Sequence, residues 1–137
     1  MTYLGLAALS AAVLLLELTL TRIYSVAQGY HFAFLAVSLG LLGFGASGTA
    51  LFVVPSGWRK HGSAVLSASA LLFGATALGA YWALNVIPFD SYRLVLEPVM
   101  FLYMALFYLV QVVPFFFGGL VLGAALTLDP RRAGGLY

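Results

Sequence analysis

The chain has 137 residues, of which 64% are hydrophobic and only 7% charged, and its mean hydropathy is +1.08. Roughly a quarter of the residues in a soluble domain are charged, so this composition excludes one and implies an integral membrane protein. The formal charge of +2 is spread without a basic patch, which argues against nucleic acid as a partner, and the lack of cysteine removes disulfides and thiolate metal sites.

The first apolar run, 4–25, exceeds the ~20 residues an α-helix needs to cross the hydrocarbon core. It carries two charges, Glu17 and Arg22. Their separation amounts to about 140° of helical rotation, so they do not face one another as an i,i+4 pair would. Arg22 lies near the outer end, where a long side chain snorkels to the headgroups. Glu17 lies about a turn and a half deeper, beyond the reach of a short carboxylate. It is expected to face other helices and to take a partner or keep its proton. His31 and Arg93 are the candidate partners on the same side, and Thr19, Thr21 and Gln28 would complete a polar clamp. The same acid also invites a proton-relay or amine-binding reading. Ser25-Val26-Ala27 has the small-x-small form of a signal-peptide cleavage site. No Lys or Arg precedes the apolar core, however, and Glu17 and Arg22 interrupt the approach to the cut, so a helix that stays in the protein is expected.

After Ala27-Gln28-Gly29 the second run covers 30–54. Within it Gly43, Gly45 and Gly48 fit G-x-G-x-x-G, the fingerprint of a dinucleotide-binding turn. A true fingerprint opens an amphipathic helix and has an acidic residue about 20 positions further on. Here the next acid is Asp90, so nucleotide binding is not expected. The glycines have a simpler use: Gly40, Gly43, Ala46, Ser47 and Ala50 recur at three- and four-residue spacing, a groove that lets another helix approach closely. His31 opens this helix and His61 follows it, roughly 35 Å apart at 1.5 Å per residue, so one haem cannot take both. His31 alone, beside Tyr30, reads as a hydrogen-bonding boundary residue rather than a haem or pigment ligand, and no second ligand stands at a zinc spacing. No cofactor is expected.

Pro55 and Gly57 punctuate the link to the third run, 63–87, where Ala70, Gly74 and Ala77 or Leu78 offer a shorter small-residue face. Pro88, Asp90 and Ser91 mark the next link. Glu97-Pro98 then starts the fourth run, 98–128, since proline at the first helical position lacks only an amide that would be unpaired anyway. This run contains Pro114 and a formal GxxxG at Gly119 and Gly123. Asn85 and Gln111 are the only amides in the last two helices.

The fold expected is all-α, a four-helix transmembrane module over 1–128 with a short cytoplasmic tail at 129–137. Arg59, Lys60, Arg131 and Arg132 fall on one side and Arg22 and Arg93 on the other, which places both termini in the cytoplasm and the protein, multi-pass, in the cell membrane.

The stretches LLELTLTRI at 15–23, YHFAFLAVSL at 30–39 and LLGFGA at 41–46 resemble the amino-terminal membrane region of the bacterial multi-pass spermidine-synthase-like proteins. Gly134-Gly135-Leu136-Tyr137 is similar to the segment that leads, in that family, towards further helices and a Rossmann-type aminopropyltransferase-like or methyltransferase-like domain. The resemblance implies a membrane module of such a protein. It carries over no catalytic, cofactor or metal residue, because the matching part holds none, and it implies a shared structural or binding role for Glu17, Arg22 and His31.

Two classes of function follow. In the first, the chain is a non-catalytic helical module that packs against other transmembrane subunits or itself. In the second, Glu17 and His31 bind an amine or pass a proton. The shortage of polar residues in the last two helices favours the first, since a transport path needs several convergent polar groups or broken helices.

Overall fold

The computed structural model describes residues 2–27, 29–54, 56–88 and 97–128, less the side chains of residues 2, 30, 31, 33 and 56. Four long helices make up nearly all of it: α1 (Thr2–Ala27), α2 (Tyr30–Val53), α3 (Gly62–Val86) and α4 (Val99–Leu128). Each is long and apolar enough to span a bilayer, and no strand occurs among the described residues. Backbone amides have no water to bond in hydrocarbon, so continuous helices are the form that satisfies them. The 129–137 tail and Arg93 lie outside the described residues.

The connections are short for physical reasons. Gly29, between α1 and α2, has φ +96°, the left-handed side that favours glycine, and its carbonyl accepts a 3.0 Å bond from the Phe32 amide. Between α2 and α3 the chain forms a 3-10 turn, Ser56–His61, where the sequence suggests only a polar loop. Arg59 there lies over the Trp58 ring at 6.0 Å, an arrangement suited to the interface.

The helices are not equal. α4 is the hub, with α2 packed along one flank and α3 along another, while α1 lies against α2 and touches α4. Every third or fourth residue of α4 is buried, from Phe107 and Gln111 through Pro114, Phe115, Gly118, Gly119 and Val121 to Ala124. Gly43, Ser47 and Leu51 of α2 meet Phe115, Gly119 and Gly123 in ascending order, so α2 and α4 run in the same direction. α3 runs against α4: Gly62 meets Leu128, Phe73 meets Gly118, and Ala80 meets Gln111. Val13 and Phe73 converge on Gly118 from the two sides. α1 and α3 barely touch each other.

Lipid-facing surfaces follow from this plan. Leu14, Leu15, Leu18, Phe34, Leu41, Phe52, Leu71, Leu78 and Trp82 are all exposed. Such a surface is at home in hydrocarbon and would drive aggregation in water.

Candidate functional site

α1 presents Val13, Leu20 and Tyr24 to the bundle, and Glu17 falls on the same stripe by its spacing of four and three residues. It is half-buried. Its carboxyl carbon lies 3.8 Å from where a Cβ on Gly40 would stand, and the Phe115 ring reaches that point at the same distance. The acid therefore sits at the junction of α1, α2 and α4, over a gap left by a missing side chain. Among the described residues no donor or cation meets it.

Arg22 is exposed on the outer face of α1, so the structure does not bring it to Glu17. The side chain of His31 lies outside the described residues, as do Gln28 and Arg93. The clamp expected around Glu17 loses two of its members for a clear reason. Thr19 donates to the Leu15 carbonyl at 2.6 Å and Thr21 to the Glu17 carbonyl at 2.8 Å, each a bond to its own helix. A hydroxyl that donates four residues back has spent its one proton and cannot also donate to the Glu17 carboxylate.

The small residues divide sharply. A Cβ on Gly43 would stand 2.5 Å from the Phe115 Cβ and 2.8 Å from the Phe116 amide nitrogen, so two backbones approach here. One on Gly119 would run into the Ser47 hydroxyl, and one on Gly123 would come within 2.7 Å of Leu51. Gly40 is the looser end of this seam. Gly45, Gly48 and Gly74 have nothing within 4 Å of that position and face outward. Residues 43–48 are continuous helix, without the strand-to-helix turn that a dinucleotide site needs. On the α3 face of Ala70 and Gly74, no described residue of this chain closes on Gly74.

Two functional-looking groups were not singled out from sequence. Gln111 on α4 is fully buried and donates from Nε2 to the Ala80 carbonyl of α3 at 3.1 Å, while its Oε1 has no partner among the described residues. Tyr24 is 1% exposed, with its ring 5.7 Å from that of Phe107 and edge-on to Tyr108 at 6.3 Å. Its hydroxyl, too, has no partner among the described residues. An amide in a membrane helix is a signal available to sequence reading, whereas a buried tyrosine looks like any interfacial one. Among the described residues no three His, Asp or Glu side chains gather where they could hold a metal.

Comparison with family models, with curated proteins and with solved structures finds no match to this chain.

Proposed function

We propose that the chain is a non-catalytic membrane module whose four helices form one side of a larger helical assembly in the cell membrane, with both termini cytoplasmic. One observation carries this reading: the outward face of α3. Gly74 and Gly79 leave open space, and Ala64, Ala68 and Ala75 are exposed on the same helix. Small residues cost little when they face lipid and gain much when another helix closes on them. The partner is a second copy or other transmembrane helices, including those of a spermidine-synthase-like protein as the sequence resemblance implies.

Two experiments test it. Gly74→Leu and Gly79→Leu should leave the purified module folded in mild detergent but shift its native mass to that of the bare chain, while Gly5→Leu, also in open space, should not. An unchanged mass in all three would remove the proposed face. For orientation, an impermeant thiol reagent added outside should label Ser91→Cys and spare Ser56→Cys; the reverse pattern would invert the topology.

The half-buried Glu17 carboxylate favours one alternative, amine or proton handling. It lies on the inner stripe without a partner among the described residues, and an ionised carboxylate at a helix centre costs ~2.5–3.5 kcal/mol even on the mild insertion scale. Glu17→Gln keeps shape and hydrogen-bonding capacity while removing the charge. An assembly that forms normally but no longer binds spermidine or carries protons across liposomes would establish this alternative. Absence of either activity in the parent protein would retire it.

A further inference from the structure

From Leu4 to Leu18 the only polar side chains of α1 are Ser10 and Glu17, and seven residues bring a helix back to within ~20° of the same face. Tyr3 and Tyr24 continue the row at the same spacing. Exposure falls along it: Tyr3 is 45% exposed, Ser10 and Glu17 are half-buried, and Tyr24 is sealed at 1%. We propose that Glu17 is a proton-binding site that loads along this face from one side of the membrane only, the side on which α1 begins.

The open end has room for water. Where α1 begins it stands off from α4 around a cavity of about 270 Å³, lined by Tyr3, Leu6, Ala7 and Ser10 on one side and by Leu122, Ala125 and Leu126 on the other. Liquid water takes ~30 Å³ per molecule, so several fit, and each needs polar partners. Ser10 is one. Thr19, Thr21, Ser38 and Thr49 each donate to a carbonyl of their own helix, but the Ser10 hydroxyl makes no hydrogen bond among the described residues, so its proton and lone pairs are left for the cavity. From there to Glu17 the face passes Val13, sealed against Gly118, and Leu14, which is exposed. The axial rise of ~10 Å is the length of a chain of ~3 waters at hydrogen-bond spacing.

The far end is closed. Beyond Glu17 the stripe consists of Leu20 and Tyr24, both buried, with the Tyr24 ring packed on Phe107 and Tyr108. The Tyr24 hydroxyl is sealed as well, so it meets no water, and Thr21 has spent its proton on the Glu17 carbonyl. A proton that reaches Glu17 leaves by the way it came. The residue is thus a one-sided site, not a conducting path, and the module needs no transport activity to hold it. Charge explains why a proton is what it takes. Arg22 is exposed on the outer face of α1. α2 carries no titratable side chain from 32 to 53, and α4 none from 109 to 128. Tyr108, the nearest on α4, lies two turns from Phe115 and packs on Tyr24. Tyr30 and His31, whose side chains lie outside the described residues, open α2 at ~14 Å of axial rise from Gly40. No cation meets Glu17 among the described residues, and a bound proton removes the cost of a carboxylate in hydrocarbon.

The chain has no cysteine, so single introduced cysteines report water directly. The full chain is placed in liposomes in one orientation, fixed by protease access to an N-terminal tag, with the pH inside and outside set separately. Dicyclohexylcarbodiimide, which enters lipid and adds to protonated carboxyl groups, should modify Glu17, as read by mass spectrometry, and the modification should vanish in Glu17→Gln. It should fall about tenfold when the side on which α1 begins is made alkaline, and should not respond to the other side. An impermeant methanethiosulfonate should label Ser10→Cys from the side on which α1 begins and leave Leu14→Cys, on the lipid face, unlabelled from either. Modification that follows the opposite side, or both sides equally, overturns the one-sided route, as does a Ser10→Cys that the reagent reaches from neither side. A Glu17 that is modified at no pH overturns the proton site altogether, and neither result touches the assembly face on α3.

Discussion

The seam between α2 and α4 and the cleft between α1 and α3 are built from equally apolar helices, yet one is closed to backbone contact and the other stands open. Along the seam, Gly43 meets the backbone at Phe115 and Phe116, and Gly119 meets Ser47. Where both helices of the cleft begin, Gly5, Leu6 and Leu9 face Ser63, Leu66, Ser67 and Ala70 across a groove of about 360 Å³. Lipid tails are as apolar as leucine, so burying hydrocarbon does not drive helices together in a bilayer; shape does. Small residues permit close approach only where the facing helix supplies something to fill the hollow. Phe115, Phe44 and Leu51 do so along the seam. Nothing does so at Gly74, although its surroundings in sequence look much the same.

The largest effect should come from breaking the seam. Gly43→Leu forces α2 away from α4 and should destabilise the protein by ~1–3 kcal/mol, as overpacking does elsewhere, measured as a shift in SDS or thermal unfolding in mild detergent. Ala7→Leu, on the exposed side of α1, is the control. Equal tolerance at both would mean that α2 and α4 do not meet at Gly43. A smaller effect is expected at the α3–α4 contact. Gln111→Leu deletes the bond to the Ala80 carbonyl, worth about 0.6 kcal/mol for an average interhelical bond in a membrane, and also removes the orphaned Oε1. Unfolding should therefore shift by less than ~1 kcal/mol.

Milder still is Gly40→Ala, whose new methyl would sit 3.8 Å from Glu17 and Phe115, ordinary van der Waals contact. Little change in unfolding is expected, and a loss as large as that of Gly43→Leu would mean the seam is tight along its whole length. At the bottom of the scale lies Gly45→Ala. It faces open space and should be neutral or stabilising by up to ~1 kcal/mol through helix propensity. A destabilised Gly45→Ala would show that the outward face of α2 is occupied in the purified protein.

The spans are legible from the sequence because hydropathy alone sets them: the runs 4–25, 30–54, 63–87 and 98–128 lie within about two residues of the helices observed. The pairing of helices is not legible in the same way. Gly43 and Ser47 advertise a groove by their spacing, but a glycine carries no mark of which helix will enter it, and α2 and α4 are not neighbours in the chain. Gly74 shows the other side of the problem. Glu17 is a legible oddity through its depth, and its place on the stripe of Val13, Leu20 and Tyr24 is readable from periodicity. Its neighbours, Gly40 and Phe115, come from two other helices and are visible only in three dimensions. Tyr24 has no sequence signal at all, since burial of its hydroxyl depends on where Phe107 and Tyr108 arrive.

The hub position of α4 has a consequence for biogenesis. α4 is made after the other three helices, and among the described residues α3 has no substantial neighbour except α4 and the short 3-10 turn before it. During synthesis α1 and α2 can pair as a hairpin across the Gly29 turn as soon as both have entered the bilayer. α3 must wait alone, its Phe73, Ala80 and Ala83 facing lipid, until α4 is threaded between it and α2. Assembly is thus a final wedging step. Any delay in releasing α4 into the membrane prolongs a state in which two helix faces are open to the wrong partner.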